Sequence, residues 1–363
     1  MYKGVNLGGW LIQETWMCPV PGENRKWANL NTLEIIEQRF SREEVQELFD
    51  TYQDNWITEF DIKEIKRVGC NLIRLPFWYR NFMLDEAGTW INDNFDENPG
   101  FKRLDFLLNL ASKYGLKVVL DMHGCPGGQS MDHSCGTLAT NKLYTDKLCQ
   151  ESLVKLWRAI ANRYSNHEAV WAYDLMNEPQ NNLGYSGKHS YNPLYSKSWN
   201  LSNKIYDMLY KAIREVDKKS KISMQAIWWI SNLPRPEIMG WRDVVYQMHI
   251  YADTTAFNWT AMNFKRVCDK YGIYGYVGEL ANLDGVNVCN KLGLSWSTWT
   301  YKGSNPNNIV GDFFWYFSRL DRVDPFNDSF EEIKRKWGEC LKTENFELQE
   351  NVVRKVREGC LDS

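Results

Sequence analysis

The chain has 363 residues and a formal net charge of -3, with 44% hydrophobic and 25% charged residues. This is an ordinary globular composition with ample material for a core, which argues against disorder and low complexity. Lys and Arg are scattered and form no basic stripe, so no nucleic-acid partner is expected. No run reaches the roughly 18 apolar residues of a membrane span, so no membrane partner is expected either.

The compartment is predicted from the first residues and the cysteines. The opening MYKGVNLGGW lacks the apolar stretch and the small-residue cleavage site of a secretory signal. The nine cysteines are odd in number and form no CxxC pair, which favours reduced thiols over a disulfide framework. We therefore expect a cytoplasmic protein as the sequence is written, and a secreted one if a leader has been removed.

Short β-rich runs alternate with longer segments of helical period, which is typical of βα units on a parallel sheet. There are eight such runs: KGVNLG, NLIRLPF, LKVVLDMH, AVWAYDLMN, ISMQAIWW, VVYQMHIY, IYGYVGEL and LSWSTWTY. Several of the amphipathic stretches between them end at Gly or at a basic residue, as helices do. The pattern predicts an α/β fold, a single (β/α)8 TIM barrel with elaborated βα loops over residues 1–363.

An open doubly wound sheet is the rival architecture. It usually carries a Gly-rich phosphate loop after its first strand, and GVNLGGW does not fit G-x-G-x-x-G. The segment from Trp10 to about Trp56 is too long for a simple loop and contains one helical piece, SREEVQELFDTYQDNW, so we interpret it as an elaborated first βα connection. The tail beyond Glu331 is expected to hold the closing helix and an extra C-terminal piece.

Functional side chains of such a barrel lie at the C-terminal ends of the strands, because all eight βα loops open on that face. Among ionisable and amide side chains, this criterion selects Arg74, His123, Asn177, Glu178, His249, Tyr251 and Glu279. Two carboxylates, Glu178 and Glu279, suit glycoside hydrolysis, in which one is protonated to release the leaving oxygen and the other is ionised to attack the anomeric carbon. Paired Glu with His can also hold a divalent cation, so metal-dependent chemistry is an alternative.

The stretch DLMNEP also has a purely structural interpretation. Asn177 would cap a helix that Pro179 opens, placing Glu178 at the positive end of the helix dipole. That interpretation does not explain Glu279, the carboxylate after the seventh run, so we favour a catalytic role for Glu178.

A second pattern, in the loop after the third run, resembles a zinc site. It consists of His123, Cys125, His133 and Cys135. We favour unrelated roles for these four residues in a Gly-rich loop, and we predict no metal.

The motifs together resemble glycoside hydrolase family 5, in the clan of retaining (β/α)8 hydrolases. The resemblance rests on an ordered set that spans nearly the whole chain: RLPF at the second run, DMHG at the third, NEP after the fourth, H-x-Y in MHIY, and GE after the seventh. A finer likeness is to the exo-β-1,3-glucanases of that family, which share an opening like GVNLGGWLIQETWM and a loop like MHGCPGGQSMDHSCG. The chain departs from them in GEL, where they tend to have Gly-Glu-Trp, and in STWTYKG.

The resemblance implies roles for individual residues. Glu178 would be the general acid and then base, and Glu279 the nucleophile, with carboxyl groups about 5 to 5.5 Å apart for retention rather than about 6.5 to 9.5 Å for inversion. Arg74 would keep Glu279 ionised, while Glu178 would keep a raised pKa. The remaining expected sugar contacts are Asn177 at the 2-hydroxyl, His123, His249, Tyr251 bonded to the nucleophile, Trp299 as the floor, and Glu14 with Asp132 around the non-reducing glucose.

We therefore expect a retaining hydrolase that cleaves β-glucosidic bonds of glucans or oligosaccharides, as an exo-β-1,3-glucanase or a β-glucosidase. The alternatives are an endo-β-1,4-glucanase and, from another class, a catalytically inactive carbohydrate-binding barrel. No cofactor is expected, because carboxylates supply both proton transfer and nucleophilic attack. Five tryptophans fit either sugar platforms or core: Trp16, Trp27, Trp78, Trp228 and Trp229.

Overall fold

The computed structural model describes residues 1–23, 25–180, 196–226, 229–305 and 313–361, with the backbone alone at 196–199. Eight parallel strands close into a barrel in chain order. They are β1 Lys3–Asn6, β2 Leu72–Trp78, β3 Lys117–Gly124, β4 Val170–Asp174, β5 Lys221–Gln225, β6 Val244–Ile250, β7 Tyr274–Leu280 and β8 Ser295–Thr298. Each strand overlaps the run that predicted it, and the predicted (β/α)8 architecture is confirmed.

Helices surround the barrel and fill its connections. They are α1 Asn29–Arg39, α2 Arg42–Trp56, α3 Glu59–Val68, α4 Pro99–Tyr114, α5 Lys147–Tyr164, α6 Ser196–Val216, α7 Pro236–Met239, α8 Thr254–Tyr271, α9 Asp284–Leu292, α10 Phe330–Lys336 and α11 Glu350–Leu361. None of the helices in the described ranges is long and apolar enough to cross a bilayer. All nine cysteines carry free thiols.

The segment from Trp10 to about Trp56 holds two helices, where the sequence predicted one. The predicted helix is α2, whose start is fixed by a capping box: the Ser41 hydroxyl accepts from the Glu44 N–H, and the Glu44 carboxylate accepts from the Ser41 N–H. The helix that the prediction missed is α1. Half of its buried side is polar, since Asn29 and Thr32 are buried beside two apolar residues, and no continuous apolar stripe marks it in the sequence.

A small sheet beyond the barrel was also not predicted. It contains β9 Lys302–Ser304, β10 Tyr316–Ser318 and β11 Glu347–Leu348, which are too short to show an alternating pattern. Lys302 is fully buried and ties this sheet to its surroundings, because its ammonium donates to the carbonyls of Leu341 and Trp56 and to the hydroxyl of Thr343. Burial lowers the pKa of Lys302 to about 8.

The barrel interior is layered by chemistry. One apolar layer takes a side chain from each of five strands, namely Leu72, Val119, Ala172, Val245 and Tyr276. Because side chains alternate along a strand, the residues two positions further on face the same interior, and on β2, β3, β4 and β6 these are all polar. They are Arg74, Asp121, Asp174 and Gln247, and all four are fully buried.

Strict alternation on β7 would turn Glu279 away from this interior, because Tyr276 and Gly278 already face it. The register between β6 and β7 shifts at this point, so that His249 pairs with Glu279 while Met248 pairs with Val277. Gly278 is the extra residue of the resulting bulge, and it redirects Glu279 into the barrel. Only glycine fits there, since a Cβ would collide with the side-chain amide of Gln247.

We predict that Gly278→Ala lowers the free energy of unfolding by about 1–3 kcal/mol, because the added methyl overpacks the barrel interior. Chemical denaturation of Gly278→Ala, Gln247→Ala and the double variant measures the effect as a double-mutant cycle. The double variant should lose less free energy of unfolding than the sum of the losses in the two single variants, by at least about 1 kcal/mol, because shortening Gln247 removes the collision. Strictly additive losses would show that the collision does not occur.

Candidate active site

The polar layer is organised around Arg74, which is fully buried on β2. Its guanidinium bonds to Asp174 (Nε to Oδ2, 3.0 Å), Asn6 (Nη1 to Oδ1, 3.0 Å), Glu279 (Nη1 to Oε1, 2.7 Å) and Asn177 (Nη2 to Oδ1, 2.8 Å), and lies 3.0 Å from Asp121 Oδ1. Burial alone would lower the pKa of Arg74, but the surrounding carboxylates outweigh it and raise that pKa well above the ordinary value. The guanidinium is therefore a fixed positive charge.

Glu279, redirected by the bulge on β7, has both carboxylate oxygens engaged. Oε1 accepts from Arg74, and Oε2 accepts from the Tyr251 hydroxyl at 2.7 Å. Although half of Tyr251 is exposed, desolvation of its hydroxyl and the charge of Glu279 raise the pKa of Tyr251 well above its usual value, so the hydroxyl keeps its proton and remains a donor. These two donors orient the Glu279 carboxylate for nucleophilic attack.

Glu178 follows β4 and has a different environment. Its Oε1 lies 2.9 Å from His249 Nδ1, and no arginine contacts it among the hydrogen bonds of the described residues. Desolvation raises the pKa of the Glu178 carboxyl, the nearby charge of His123 opposes that rise, and the charge of Glu14 adds to it. A carboxyl group that retains its proton is suited to act as a general acid.

The backbone at Glu178 is in the left-handed region, with a φ of 41°, which is uncommon for a residue with a side chain. Its N–H donates to Gln225 Oε1 at 2.7 Å, so a side chain from β5 holds this conformation. The described chain continues without a helix through Gln180. The structural alternative for DLMNEP, a helix opened by Pro179, is therefore not formed over these residues.

His249 lies between the two carboxyl groups, with its Nδ1 at 2.9 Å from Glu178 Oε1 and 3.3 Å from Glu279 Oε2. Burial lowers the pKa of His249 to about 3, against the opposing effect of Glu279. The ring is therefore neutral at ordinary pH and adds no positive charge beside either carboxyl group.

A second polar cluster lies in the same cavity. The Glu14 carboxylate accepts from Trp16 Nε1 at 3.0 Å, and His133 Nε2 lies 3.3 Å from the same oxygen, Glu14 Oε2. His133 Nδ1 is hydrogen-bonded to Asp132. The sequence placed Glu14 and Asp132 at the sugar but named His133 only in the zinc-like pattern. Its position next to Asp132 was the one signal that could have identified it.

One open cavity of about 770 Å³ brings the site together. Nine of the ten residues that the sequence selected line it, and Arg74 lies beneath Glu279. Eight further residues line the cavity that were not among those ten: Trp16, Arg25, His133, Ser134, Gln180, Gln225, Ala226 and Phe313. Of these, the sequence leaves Trp16 open between a sugar platform and the core. Gln225 was detectable, because it ends β5 and therefore meets the strand-end criterion.

The aromatic side chains divide between site and core. Trp299 stacks on His123 with ring centroids 5.6 Å apart and an interplanar angle of 16°, and the Trp299–Thr300 peptide bond is cis. Trp16 lines the cavity, whereas Trp27 and Trp78 do not. Trp229 is 46% exposed, and Trp228 lies outside the described residues.

The zinc-like pattern does not converge on one point. His123 bonds to Asp121, and His133 bonds to Asp132. The thiol of Cys135 points to backbone carbonyls, which supports the interpretation that the four residues have unrelated roles.

The residues with metal-ligand spacing are instead Glu178, His249 and Glu279, whose donor atoms lie within 4.8 Å of one another. A cation there would compete with the Arg74 guanidinium and the Tyr251 hydroxyl for the oxygens of Glu279.

Several known proteins are similar to this chain in sequence or in fold. A family model described as cellulase (glycosyl hydrolase family 5) matches residues 24–318. A β-xylosidase of Phanerodontia chrysosporium is 25% identical over an alignment of 407 positions, which covers 99% of this chain and 77% of that protein. A glucan 1,3-beta-glucosidase of Blumeria graminis is 30% identical over 185 positions, covering 49% of this chain and 41% of that relative, less than half of its length.

Among solved structures, the chain is similar to rutinosidase from Aspergillus niger, with a TM-score of 0.67 at 17% identity, covering 85% of this chain and 92% of that one. A likeness at that identity concerns the fold, whereas the family model concerns sequence and spans most of the chain. The chain therefore belongs to glycosyl hydrolase family 5 and is a glycoside hydrolase, as its motifs predicted.

Proposed function

We propose that this glycoside hydrolase releases glucose from the non-reducing ends of short or soluble β-glucans, with net retention at the anomeric carbon. One observation carries the proposal: an oxygen of Glu178 and an oxygen of Glu279 lie within 4.8 Å of one another at the base of an open cavity. Retaining enzymes need carboxyl groups about 5 to 5.5 Å apart, whereas inverting enzymes need about 6.5 to 9.5 Å to admit a water molecule.

The two carboxyl groups would act in sequence. Glu279 attacks the anomeric carbon while Glu178 gives its proton to the departing oxygen, which forms a covalent glucosyl ester on Glu279. Glu178, now ionised, then removes a proton from water, and the resulting hydroxide displaces Glu279 and releases the sugar. We infer that Asn177 bonds the sugar 2-hydroxyl. Arg74 occupies its amide oxygen, Nδ2 lies 3.3 Å from His123 Nε2, and one of the two Nδ2 protons is left for a substrate.

Exo action is supported by the second polar cluster. Glu14 and Asp132 offer several acceptor oxygens to the hydroxyls of one sugar, and Trp299 offers an aromatic face beside them. Such a concentration of contacts suits a terminal glucose held in one place. The name of the Blumeria graminis relative, glucan 1,3-beta-glucosidase, points to the same bond class.

Two alternatives predict different products. An endo-β-1,4-glucanase would cut within chains and produce oligomers first. A catalytically inactive carbohydrate-binding barrel would bind sugars and leave every β-glucoside intact.

The product profile tests the proposal directly. We predict that glucose is the first product from β-1,3-linked oligosaccharides, that it appears first as the β-anomer in proton NMR, and that β-1,4- and β-1,6-linked oligosaccharides are cut more slowly. Oligomers ahead of glucose would favour the endo alternative, and α-glucose as the first anomer would contradict the retaining mechanism.

The two carboxyl roles are separable by substitution. We predict that Glu279→Gln lowers kcat at least about a thousandfold while the protein still folds, because the nucleophile is lost but the isosteric amide keeps an acceptor oxygen for Arg74. Glu178→Ala should retain far more activity on 2,4-dinitrophenyl β-glucoside than on unactivated glucosides, because the dinitrophenolate leaving group needs no proton. Added azide should then yield β-glucosyl azide. Equal losses of Glu178→Ala on activated and unactivated glucosides would contradict its role as the acid.

Substitution of Arg74 tests whether the buried polar network orients Glu279. We predict that Arg74→Lys lowers the free energy of unfolding by about 3–5 kcal/mol and lowers kcat at least about a hundredfold, because one ammonium cannot replace the forked guanidinium. Arg67→Lys is the matched control, since Arg67 pairs with Glu64 on the surface, and it should change stability by less than about 0.5 kcal/mol. Similar effects of the two substitutions would show that the network does not orient Glu279.

A further inference from the structure

His133 is the residue of the cavity whose role the proposed mechanism does not use. It follows β3 in the long loop that carries Asp132, and its side chain is only 6% exposed. One ring nitrogen bonds to Asp132, and the other lies 3.3 Å from Glu14, which belongs to the β1–α1 connection. The imidazole thus lies between two carboxylates from separate parts of the chain.

Both ring nitrogens of His133 face carboxylates. Nε2 is buried and lies 3.3 Å from Glu14 Oε2, the oxygen that also accepts from Trp16 Nε1 at 3.0 Å. Nε2 makes no hydrogen bond of acceptable geometry within the described ranges, so its contact with Glu14 is an ion pair without good alignment. With so little accessible surface, the imidazole acts on the cavity through its charge rather than by contact with a ligand.

The charges around the ring favour its protonated form. The two carboxylates raise the pKa of His133 to about 9, against the opposing effect of burial. Burial alone would raise the pKa of Glu14, but the nearby His133 and His123 lower it. The other charged or titratable groups that interact with Glu14 or Asp132 are Arg25, Glu178, Tyr251, Cys18 and Cys135.

We propose that His133 sets the selectivity of the sugar site: held as a cation between Glu14 and Asp132, it offsets the charge of that pair, so that the site accepts a neutral hexose. This inference deepens the proposed function and rests on it. Without the cation, two uncompensated carboxylates would face the ligand, and the site would prefer a positively charged sugar.

The effect of His133 on sugar affinity should depend on pH, because it requires the protonated imidazole. His133 is charged below about pH 9 and loses its proton as the pH rises through that value. Affinity for a neutral sugar should therefore hold up to about pH 9 and fall above it. The stability of the fold should also decrease above about pH 9. Because folding raises the pKa of His133, its protonation stabilises the folded state fully below the unfolded-state pKa, and this contribution is lost as the pH rises through about 9.

The experiment measures competitive inhibition by glucose and by glucosamine at pH 6, where the glucosamine amine is protonated, with an aryl β-glucoside as reporter. For His133→Asn we expect the glucose inhibition constant to rise at least about tenfold, because two carboxylates without a counter-charge then line the sugar site. The glucosamine constant should rise by less, so that the ratio shifts at least about threefold towards the cationic sugar. His167→Asn is the matched control, because His167 follows α5 outside the cavity.

A second measurement follows glucose binding by tryptophan fluorescence from pH 6 to 10, with the melting temperature recorded at each pH. The chain as it stands and His167→Asn should both lose glucose affinity above about pH 9, whereas His133→Asn should bind glucose weakly and without that change. If His133→Asn does not fold, the pH profile of the unmodified chain still tests the inference.

The outcomes separate the two proposals. A chain that neither cleaves an aryl β-glucoside nor binds glucose would overturn the proposed function. An active chain in which His133→Asn matches His167→Asn, or in which glucose and glucosamine weaken equally, would overturn the role of His133 alone. Glucose affinity that stays constant from pH 6 to 10 would do the same.

Discussion

The site depends on one electrostatic constraint: a guanidinium with no access to water must be surrounded by acceptors. Arg74 meets this requirement with Asp121, Asp174 and Glu279 and with two amide oxygens. Removing one partner from such a buried cluster typically costs about 3–5 kcal/mol, so its members hold one another in place. The side chains that the cluster orients towards the cavity, Glu279 and Asn177, are the ones that chemistry at a sugar requires.

An asymmetry between the two carboxyl groups follows from that constraint. Glu279 shares its oxygens with the guanidinium and with Tyr251, whereas Glu178 contacts a histidine whose pKa is depressed by burial. A charged His249 would have favoured the ionised form of both carboxyl groups. Because the ring is neutral, it does not oppose the raised pKa of Glu178, and a raised pKa suits an acid that lies a few ångströms from a nucleophile.

The walls of the cavity come from segments that are not part of the barrel. Trp16 lies on the β1–α1 connection, and Phe313 lies between β9 and β10, with their rings 6.3 Å apart. Main-chain bonds join these segments, since the Ser304 N–H donates to the Met17 carbonyl at 2.8 Å. The buried ammonium of Lys302 fixes the same sheet to α2. The elaborated first connection and the small sheet therefore shape the space next to the reacting bond.

The sequence by itself determined the barrel and the two carboxylates. Eight β-rich runs separated by helical periods leave few other architectures, and Glu178 and Glu279 fall at strand ends, where a local pattern is enough to place them. It did not determine that Glu279 faces inward, because alternation alone turns it outward, and only the pairing of β6 with β7 creates the bulge at Gly278. Helix α1 and the small sheet escaped prediction because one has a half-polar buried side and the other has strands of two or three residues. The place of His133 was likewise decided by tertiary structure, since its charge depends on Glu14, more than a hundred residues earlier in the chain, and no spacing within a sequence shows which distant charges will meet.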